Sequence, residues 1–420
     1  MNATTTDWRA QRGLRLLKSK GSAIRKMLDD TYMVPSESGP GGYVVDLKTE
    51  RCNCPDWEKR AAAGGGSSTR CKHTWAVLIH SRREVVVEDK AFTIERTRMD
   101  WSVYRRGRRE EKSLVWQLGS ELCSMIPSRP YAGTGRRPLR RGDVLFAGLV
   151  RGYETIAMDR CESDLKFAQR DGLIQDCAHY NTVYNVLGTP TAHEDLRRIL
   201  AMSVEPYRAI EHDFAFDSSG LHRAFYVRWV DHKHGAARRE RRIHEFMKLH
   251  VGIGRITGAI CAIDTSPGNK GDGPFLRESL LPQVLDRFDD VETALADAAY
   301  GSRDNRHALT DARVMPYVDF AENARYGRDE VWNQCLAEAR LNRARWERVY
   351  HDRNAVEAFF SSLKRVFGAA IRSKTDDGAV GEVLCRAIAH NLRMLVKCMF
   401  KMDLDPKFTL PSDRDQGSLQ

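Results

Sequence analysis

The chain has 420 residues, a hydrophobic fraction of 42 % and a formal net charge of +10, from 67 Lys plus Arg against 57 Asp plus Glu. This length allows two or three domains with real cores, and the positive charge favours a polyanionic partner, nucleic acid first. No apolar run is long enough to cross a bilayer, and the polar N-terminus MNATTTDWRAQRGLRLLKSK is not that of a secretory signal. We therefore expect a protein of the cytosol that has no membrane partner.

The N-terminal half contains strands, then a cysteine-rich stretch, then helices. Residues 1–30 predict an amphipathic lead-in, and residues 31–49 predict two strands joined by a Gly/Pro turn. EVVVEDKAFTIE predicts another strand. RRGRREEK and RPYAGTGRRPLRRGD predict a basic linker, and residues 143–205 are helical in pattern.

The C-terminal half alternates between strands and helices. One helix is predicted at LRESLLPQVLDRF, and the last long helix at residues 350–368. The predicted strands are AIEHDFAFD, HRAFYVRWVD, MKLHVGIG, ITGAICAID, VETALAD and ARVMPYVDF. Strands first and then helix–strand alternation predict an α/β fold, a mixed sheet flanked by helices.

Four residues near the N-terminus have the chemistry of a zinc site. Cys52, Cys54, Cys71 and His73 form a C-x-C … C-x-H set, separated by the flexible loop AAAGGGSST. Thiolates and imidazole are the ligands that zinc prefers, and four of them close a structural site. The sequence therefore predicts one structural Zn²⁺ without chemistry of its own.

This set resembles the SWIM zinc finger family over about residues 31–80, through the C-x-C and C-x-H pairs, the preceding β-ribbon and the runs CPDW and CKHTWAV. The resemblance leaves open whether such a module binds DNA or protein. The remaining seven cysteines are scattered without pairing, and we interpret them as core thiols. They are Cys123, Cys161, Cys177, Cys261, Cys335, Cys385 and Cys398.

Two aspartates follow apolar strands, and one glutamate lies on a helix. Asp217 ends the predicted strand FAFD, and Asp297 ends ALAD. Either aspartate alone could cap a turn. Together with Glu357 they could converge at one edge of the sheet, where their mutual repulsion requires a cation. Oxygen ligands select Mg²⁺ or Mn²⁺, and two such ions are a known device for attack at phosphate, so the set suggests phosphodiester chemistry.

Glu357 lies in YHDRNAVEAFFSSLKRVFG beside an apolar stripe. Read as a helix, Tyr350, Arg353, Glu357 and Lys364 fall within roughly 60° of one another. The simplest interpretation is a surface ion-pair ladder, because Arg353 and Glu357 are i,i+4 neighbours.

The same residues resemble the DDE transposases of bacterial insertion sequences over about residues 130–400. One branch of that family carries Tyr, two residues, Arg, three residues, Glu, six residues, Lys, and Tyr350, Arg353, Glu357 and Lys364 match every spacing. DSSGL at Asp217, DAAYGSRDNR at Asp297 and HNLRML near the C-terminus are similar to that family as well. The added zinc module departs from the plainest members.

The resemblance implies an RNase H-like fold in which Asp217, Asp297 and Glu357 are catalytic and hold two Mg²⁺ or Mn²⁺ ions. Tyr350, Arg353 and Lys364 would contact DNA phosphates from the same helix face. The implied activity is metal-dependent cleavage at the ends of a mobile element, followed by attack of the freed 3′-OH on target DNA. A nuclease without strand transfer, and a catalytically silent DNA- or partner-binding relic that uses the zinc module, are the alternatives.

This interpretation divides the chain into four parts: residues 1–90 with the zinc finger, 91–205 as basic linker and helical DNA-binding region, 206–402 as catalytic domain, and 403–420 as a disordered tail. Basic runs at 105–110, 135–141 and 232–242 are candidate phosphate contacts. Double-stranded DNA is the expected partner, in the cytoplasm and nucleoid of a prokaryote. A homodimer or larger assembly is expected, because two element ends must be brought together.

Overall fold

The computed structural model describes residues 8–20, 23–27, 30–36, 42–62, 70–81, 84–87, 90–93, 100–128, 131–135, 137–223, 246–321, 323–341 and 343–408. The chain divides into two compact units, Met1–Ser102 and Val103–Gln420. The predicted strand HRAFYVRWVD beyond Arg223, the basic run 232–242 and the predicted tail from residue 409 lie outside the described residues.

The first unit packs helices on a small antiparallel sheet. Its strands are β1 (Arg25–Lys26), β2 (Thr31–Pro35), β3 (Gly42–Asp46) and β4 (Arg51–Cys52), in the order β1-β2-β3-β4. Its helices are α1 (Trp8–Lys20), α2 (Pro55–Ala62) and α3 (Lys72–His80), and β5 (Glu84–Val87) pairs with β6 (Lys90–Thr93) in a hairpin. The two predicted strands of residues 31–49 are confirmed, whereas EVVVEDKAFTIE forms two strands instead of one.

Helix α1 lies directly against α3 at a glycine. A Cβ on Gly13 would lie 2.6 Å from the Cβ of Trp75, so only glycine allows the two helices to approach this closely. The core beneath them includes Leu16, Val34, Val45 and Val77, all buried. The cysteines of the predicted zinc set belong to the same core.

A helical layer begins the second unit, and its first helix contradicts one prediction. RRGRREEK does not form a linker, because it lies inside the 24-residue helix α4 (Trp101–Ser124). The layer continues, as predicted for residues 143–205, with α5 (Arg141–Glu154), α6 (Cys161–Arg170), α7 (Tyr180–Leu187) and α8 (Pro190–Ser203). Helix α5 is buried along nearly its whole length, which explains its apolar run VLFAGLV.

The six-stranded sheet confirms the mixed α/β fold. Its strands are β7 (Asp213–Arg223), β8 (Phe246–Gly254), β9 (Ile260–Pro267), β10 (Thr293–Ala296), β11 (Met315–Val318) and β12 (Ala370–Ile371). The order is β11-β10-β7-β8-β9, with β12 beside the far end of β7. Strands β7, β8 and β9 are antiparallel neighbours, and β10 and β11 run parallel to β7.

The helices that flank this sheet come from its connections and from the C-terminus. A short π-helix (Leu276–Leu280) leads into α9 (Leu281–Arg287). Helix α10 (Arg303–Asp311) joins β10 to β11. Four helices follow: α11 (Glu330–Leu341), α12 (Arg343–Tyr350), α13 (Asn354–Phe367) and α14 (Asp376–Met402). No helix among the described residues is long and apolar enough to span a membrane.

The C-terminal helices correct two predictions. Residues 350–368 are not one continuous helix, because a 3₁₀ turn (His351–Arg353) separates Tyr350 from α13. The last long helix is α14, which packs on α5 and α8. Its buried Asn391 donates to Ser203 of α8 and to the Ile260 carbonyl of β9, at 2.9 Å each, and so fixes the helical layer to the sheet.

Candidate active site and metal centre

The structure brings the four predicted zinc ligands together. Cys52 ends β4, Cys54 precedes α2, and Cys71 and His73 begin α3. One ligand atom from each of the four buried residues lies within 4.8 Å of the others. The Nε2 atom of His73 is buried without a hydrogen-bond partner. Soft sulfur and nitrogen donors, closely spaced and with one unsatisfied nitrogen, fit zinc.

Two helix N-termini stabilise negative charge on this cluster. The Trp57 amide of α2 donates to the Cys54 sulfur, and the Thr74 amide of α3 donates to the Cys71 sulfur, at 3.4 Å each. Hydrogen bonds from the Cys52 and Cys54 thiols lower the pKa of Cys71 far below its usual range. The pKa of Cys52 is raised by its hydrogen bond with Cys54 first and by that with Cys71 second. The site therefore already favours a thiolate, which is the form that binds zinc.

The register of two parallel strands places two aspartates side by side. Phe216 of β7 pairs with Ala296 of β10, and Asp217 and Asp297 come directly after these two residues in the chain. Neighbouring strands lie about 4.8 Å apart, so the two carboxylates face a common edge. Asp297 follows the last residue of β10, as predicted. Asp217 does not end its strand, because β7 continues to Arg223.

Glu357 reaches this edge through an arginine. The Arg353 Nη2 atom donates to Glu357 Oε1 at 2.7 Å, and Arg353 Nη1 lies 3.9 Å from Asp217 Oδ2. The i,i+4 pair that the sequence predicts is therefore present, and it also touches one of the aspartates. The guanidinium lies between two of the three candidate metal ligands.

The two aspartates differ in how their oxygens are bound. Asp217 Oδ1 accepts the Ser218 amide at 2.7 Å, and Asp297 Oδ1 accepts the Ala299 amide at 3.0 Å. Burial, helped by the negative charge of Asp297 and opposed by the Ser218 amide and Arg353, raises the pKa of Asp217 to about 6. A carboxylate with this raised pKa gains from a nearby cation.

The three basic or phenolic residues of the spaced motif do not share one helix. Lys364 of α13 donates from Nζ to the Ser219 hydroxyl of β7 at 2.7 Å. Tyr350 ends α12, its ring stacks on Trp346 at 4.6 Å, and Arg353 lies over that ring at 5.7 Å. Tyr350 and Arg353 therefore precede α13, which carries Glu357 and Lys364, so the four residues do not lie on one continuous helix. Arg353 and Lys364 nevertheless both contact the β7 edge.

Two further aspartates at this edge escaped the sequence analysis. Asp319 follows Val318 of β11, which pairs with Ala296 of β10, and its Oδ2 accepts from the Tyr350 hydroxyl at 3.4 Å. The strand-then-aspartate pattern in MPYVDF was the available signal. Asp272, in the loop after β9, accepts from the Ser218 hydroxyl at 2.8 Å. No sequence pattern marks Asp272.

The basic runs are only partly described. In the run 105–110, Arg105, Arg106, Arg108 and Arg109 are exposed on α4. In the run 135–141, Arg137 and Arg140 are exposed, whereas Arg141 pairs with Asp195 at 2.7 Å. The exposed arginines of α4 form a cationic surface.

The arrangement at the β7–β10 edge suits a hard divalent cation in its chemistry. Carboxylate oxygens are the ligands that Mg²⁺ and Mn²⁺ prefer. Among the described residues, the Cys/His cluster is the single group of three or more His, Cys, Asp or Glu side chains whose ligand atoms are already close enough to hold an ion. At the β7–β10 edge the Arg353 side chain supplies the positive charge between Asp217 and Glu357.

Two models of known protein families match parts of the chain. A family model of the transposase DDE domain matches residues 211–392, which include Asp217, Asp297 and Glu357. A family model of the SWIM zinc finger matches residues 43–81, which include all four Cys/His ligands. No solved structure matches the chain significantly.

Proposed function

We propose that this protein cuts and joins DNA at the ends of a mobile element, because residues 211–392 match the family model of the transposase DDE domain and residues 43–81 match that of the SWIM zinc finger. In this proposal, residues 206–402 form the catalytic domain and residues 91–205 contribute to DNA binding. The chain acts on double-stranded DNA in a prokaryotic cell, as a homodimer or larger assembly that holds two ends.

The observation that supports the proposal best is the pairing of Asp217 with Asp297. Two carboxylates at one edge, on adjacent parallel strands in register, are held there by the sheet itself. Glu357 is joined to the same edge through Arg353. A structural ion pair needs one cation and one anion, whereas here one guanidinium contacts two carboxylates, and the third, Asp297, lies beside Asp217. This excess of negative charge favours a site for added positive charge.

Asp217, Asp297 and Glu357 would hold two Mg²⁺ or Mn²⁺ ions, which supply a more acidic water nucleophile and stabilise the leaving oxygen. Water attacks a phosphodiester at the element end, the P–O3′ bond breaks, and a 3′-OH and a 5′-phosphate result. That 3′-OH then attacks a phosphodiester of target DNA, so one P–O bond forms as another breaks. The fixed β7–β10 register keeps the two aspartates in place for both steps.

Arg353 and Lys364 would contact the DNA phosphates on either side of the reacting bond. Both lie at the β7 edge, and a guanidinium and an ammonium each bind phosphate oxygens well. Tyr350 would contribute a hydrogen bond from a ring that Trp346 holds by stacking. The zinc module would have no catalytic role. Its zinc would stabilise a folded surface that binds DNA or protein.

The experiment that tests the proposal is strand transfer from a pre-cut end. A labelled duplex ending in the native element end is incubated with the protein, Mg²⁺ and a target plasmid, and joined products are counted. We expect joining with a 3′-OH end and none with a matched 3′-deoxy end. Cleavage of an uncut duplex without any joining would support a nuclease instead. DNA binding without cleavage or joining would support a relic.

A further inference from the structure

Asp272 lies near the proposed site and contacts three polar side chains. Its carboxylate accepts the Ser218 hydroxyl at 2.8 Å and lies 2.7 Å from Lys248 Nζ. The Nδ1 atom of His250 lies 3.4 Å from it, and the ring of that buried histidine stacks on Phe275 with centroids 3.9 Å apart. The Asp272 side chain is 16 % exposed, so these partners replace most of its contact with water.

These contacts fix the peptide that carries Asp217. Side chains alternate between the two faces of a strand, so Asp217 and Ser219 share one face of β7 with Arg353 and Lys364. Ser218 points to the opposite face, where it meets Asp272. The Ser218 amide donates to Asp217 Oδ1 at 2.7 Å, so fixing the Ser218 side chain also fixes the group that orients the Asp217 carboxylate.

The residue after Asp272, Gly273, is linked through Asn305 to the turn that Asp297 caps. The side-chain amide nitrogen Nδ2 of Asn305 donates to the Gly273 carbonyl at 2.8 Å and to the Tyr300 carbonyl at 2.9 Å. Tyr300 ends the short 3₁₀ turn (Ala298–Tyr300) that Asp297 caps. The dipeptide Asp272–Gly273 is therefore hydrogen-bonded directly to the Asp217 segment, and through Asn305 to the turn that Asp297 caps.

We propose that Asp272 is a positioning residue, which sets the geometry between Asp217 and Asp297 through Ser218 and the Gly273 carbonyl. It acts from the face of the sheet opposite to Arg353 and does not touch the reacting atoms. The inference rests on the proposed function, because its consequence is the affinity of the two aspartates for a divalent ion. Lys248 pairs with Asp272 at 2.7 Å, which offsets part of the negative charge that this carboxylate adds near the edge.

The test is Mn²⁺ binding by calorimetry to the full-length, zinc-loaded protein, measured for the wild type, for four variants at Asp272 and Ser218 and for one control variant. Loss of a residue that orients a metal ligand typically weakens metal affinity about 10- to 100-fold, and we expect Asp272→Ala to fall in this range. Asp272→Asn keeps an oxygen that accepts from Ser218, so most of the affinity should return. Ser218→Ala should weaken binding like Asp272→Ala, and the double variant should be no worse than either.

Asp304→Ala is the matched control, because it removes one acidic residue that is exposed and whose nearest cation is 4.0 Å away. It should bind Mn²⁺ as the wild type does. If Asp304→Ala weakens binding as much as Asp272→Ala, net charge explains the effect and the inference is overturned. Equal Mn²⁺ affinity of wild type and Asp272→Ala overturns it as well.

DNA cleavage separates this inference from the proposed function. In Asp272→Ala the half-saturating Mn²⁺ concentration should rise, while the rate at saturating Mn²⁺ stays near that of the wild type. If Asp272→Ala were partly unfolded, its cleavage rate would instead fall at every Mn²⁺ concentration. The Mn²⁺ affinity of Asp272→Asn would then test the inference, and near-wild-type affinity is the expected result. A wild type that neither binds Mn²⁺ nor cleaves DNA would overturn the proposed function. Metal-dependent wild-type cleavage with an unchanged Asp272→Ala would overturn only the role of Asp272.

Discussion

The guanidinium of Arg353 lies 2.7 Å from Glu357 and 3.9 Å from Asp217, so one cation touches two of the three proposed catalytic carboxylates. The simplest interpretation of the sequence, a surface i,i+4 pair, describes half of this arrangement. The contact with Asp217 depends on the sheet register, which no local spacing contains. At the residue scale, the sequence therefore identified the charges, and the fold decides which of them meet.

Lys364 offers a direct test of the phosphate contacts at this edge. Its Nζ lies 2.7 Å from the Ser219 hydroxyl, a neutral partner that leaves the positive charge uncompensated within this contact. We expect Lys364→Gln to weaken duplex binding and to reduce the slope of log K against log salt by about 0.9, the value for one phosphate contact. Fluorescence anisotropy over a range of salt concentrations measures both quantities.

The matched control for Lys364 is Lys407→Gln, since this lysine is 77 % exposed, already pairs with Asp405 at 4.0 Å and lies outside residues 91–402. It should leave the salt slope unchanged. An unchanged slope in Lys364→Gln would remove Lys364 from the DNA contacts.

The residues that the sequence analysis missed share a physical reason. Asp319 follows a strand just as Asp297 does, but its importance depends on Tyr350, which lies 31 residues away in the chain. Asp272 meets Ser218 across 54 residues. Contacts of this range depend on how strands and loops pack, so spacing along the chain does not indicate them.

At the scale of elements, periodicity predicted the strands well and the helix boundaries poorly. β8, β9, β10 and β11 lie where the alternating apolar pattern predicted them. The basic stretch of α4 was predicted as a linker because it is rich in charged residues and has few apolar ones. The first buried positions of this helix are Gly107 and Val115, so the stretch shows little helical periodicity. The break before α13 is set by tertiary contacts, since Asp352 in the 3₁₀ turn pairs with Arg255 of the β8–β9 turn at 2.9 Å.

Helix α14 carries a histidine that predicts how stability depends on pH. Burial, together with the charges of Arg393 and Lys397 on the same helix, lowers the pKa of His390 to about 4, although its Nε2–H donates to the Gly258 carbonyl at 2.9 Å and opposes the shift. In the unfolded chain the histidine pKa is about 6.5. Between these two values the unfolded state binds a proton that the folded state does not, so stability falls as the pH falls.

We therefore expect the free energy of unfolding to decrease by about 2 kcal/mol from pH 7 to pH 5 through His390 alone. Urea unfolding of the wild type and of His390→Gln at both pH values measures this contribution, since the variant should lose that part of the pH dependence. His250, whose pKa burial also lowers to about 4, remains in the variant and provides the residual slope. Equal slopes in the two proteins would contradict the assignment.

At the scale of the whole molecule, the chain consists of two units with separate cores. The zinc set belongs to the core of the first unit, where Cys52, Cys54 and Cys71 pack among Leu16, Val34 and Val77. A bound metal would therefore contribute folding energy to this unit, on the order of 10 kcal/mol for a structural zinc site.

Cys71→Ser should consequently unfold the first unit and leave the second intact. We expect limited proteolysis to degrade residues 1–102 in the variant while a fragment of the second unit survives. The control is Cys177→Ser, since Cys177 is a partly buried thiol of the second unit, outside the zinc set. Survival of the first unit in Cys71→Ser would show that zinc is not needed for its fold.

Composition and motifs sufficed at this scale to predict an N-terminal zinc module, a helical region and a mixed sheet with a carboxylate edge. They could not give the position of the unit boundary, because α4 begins at Trp101 and runs without interruption to Ser124. A helix that crosses a boundary carries no Gly- or Pro-rich signal. The C-terminal helix α14 was likewise not predicted, since its buried polar residues Glu382, Arg386 and Asn391 interrupt the apolar pattern that marks a core helix.

The measurement that tests the central claim most directly is nicking of a supercoiled plasmid that carries the native element end, with and without Mg²⁺. It compares the wild type with Glu357→Gln and with Glu347→Gln, whose glutamate forms the same kind of i,i+4 pair with an arginine on α12. We predict Mg²⁺-dependent nicking by the wild type and by Glu347→Gln, and a loss of at least about 100-fold in Glu357→Gln, as for removal of a group that stabilises the transition state. Nicking by Glu357→Gln at the wild-type rate would contradict the claim that Asp217, Asp297 and Glu357 form the catalytic site.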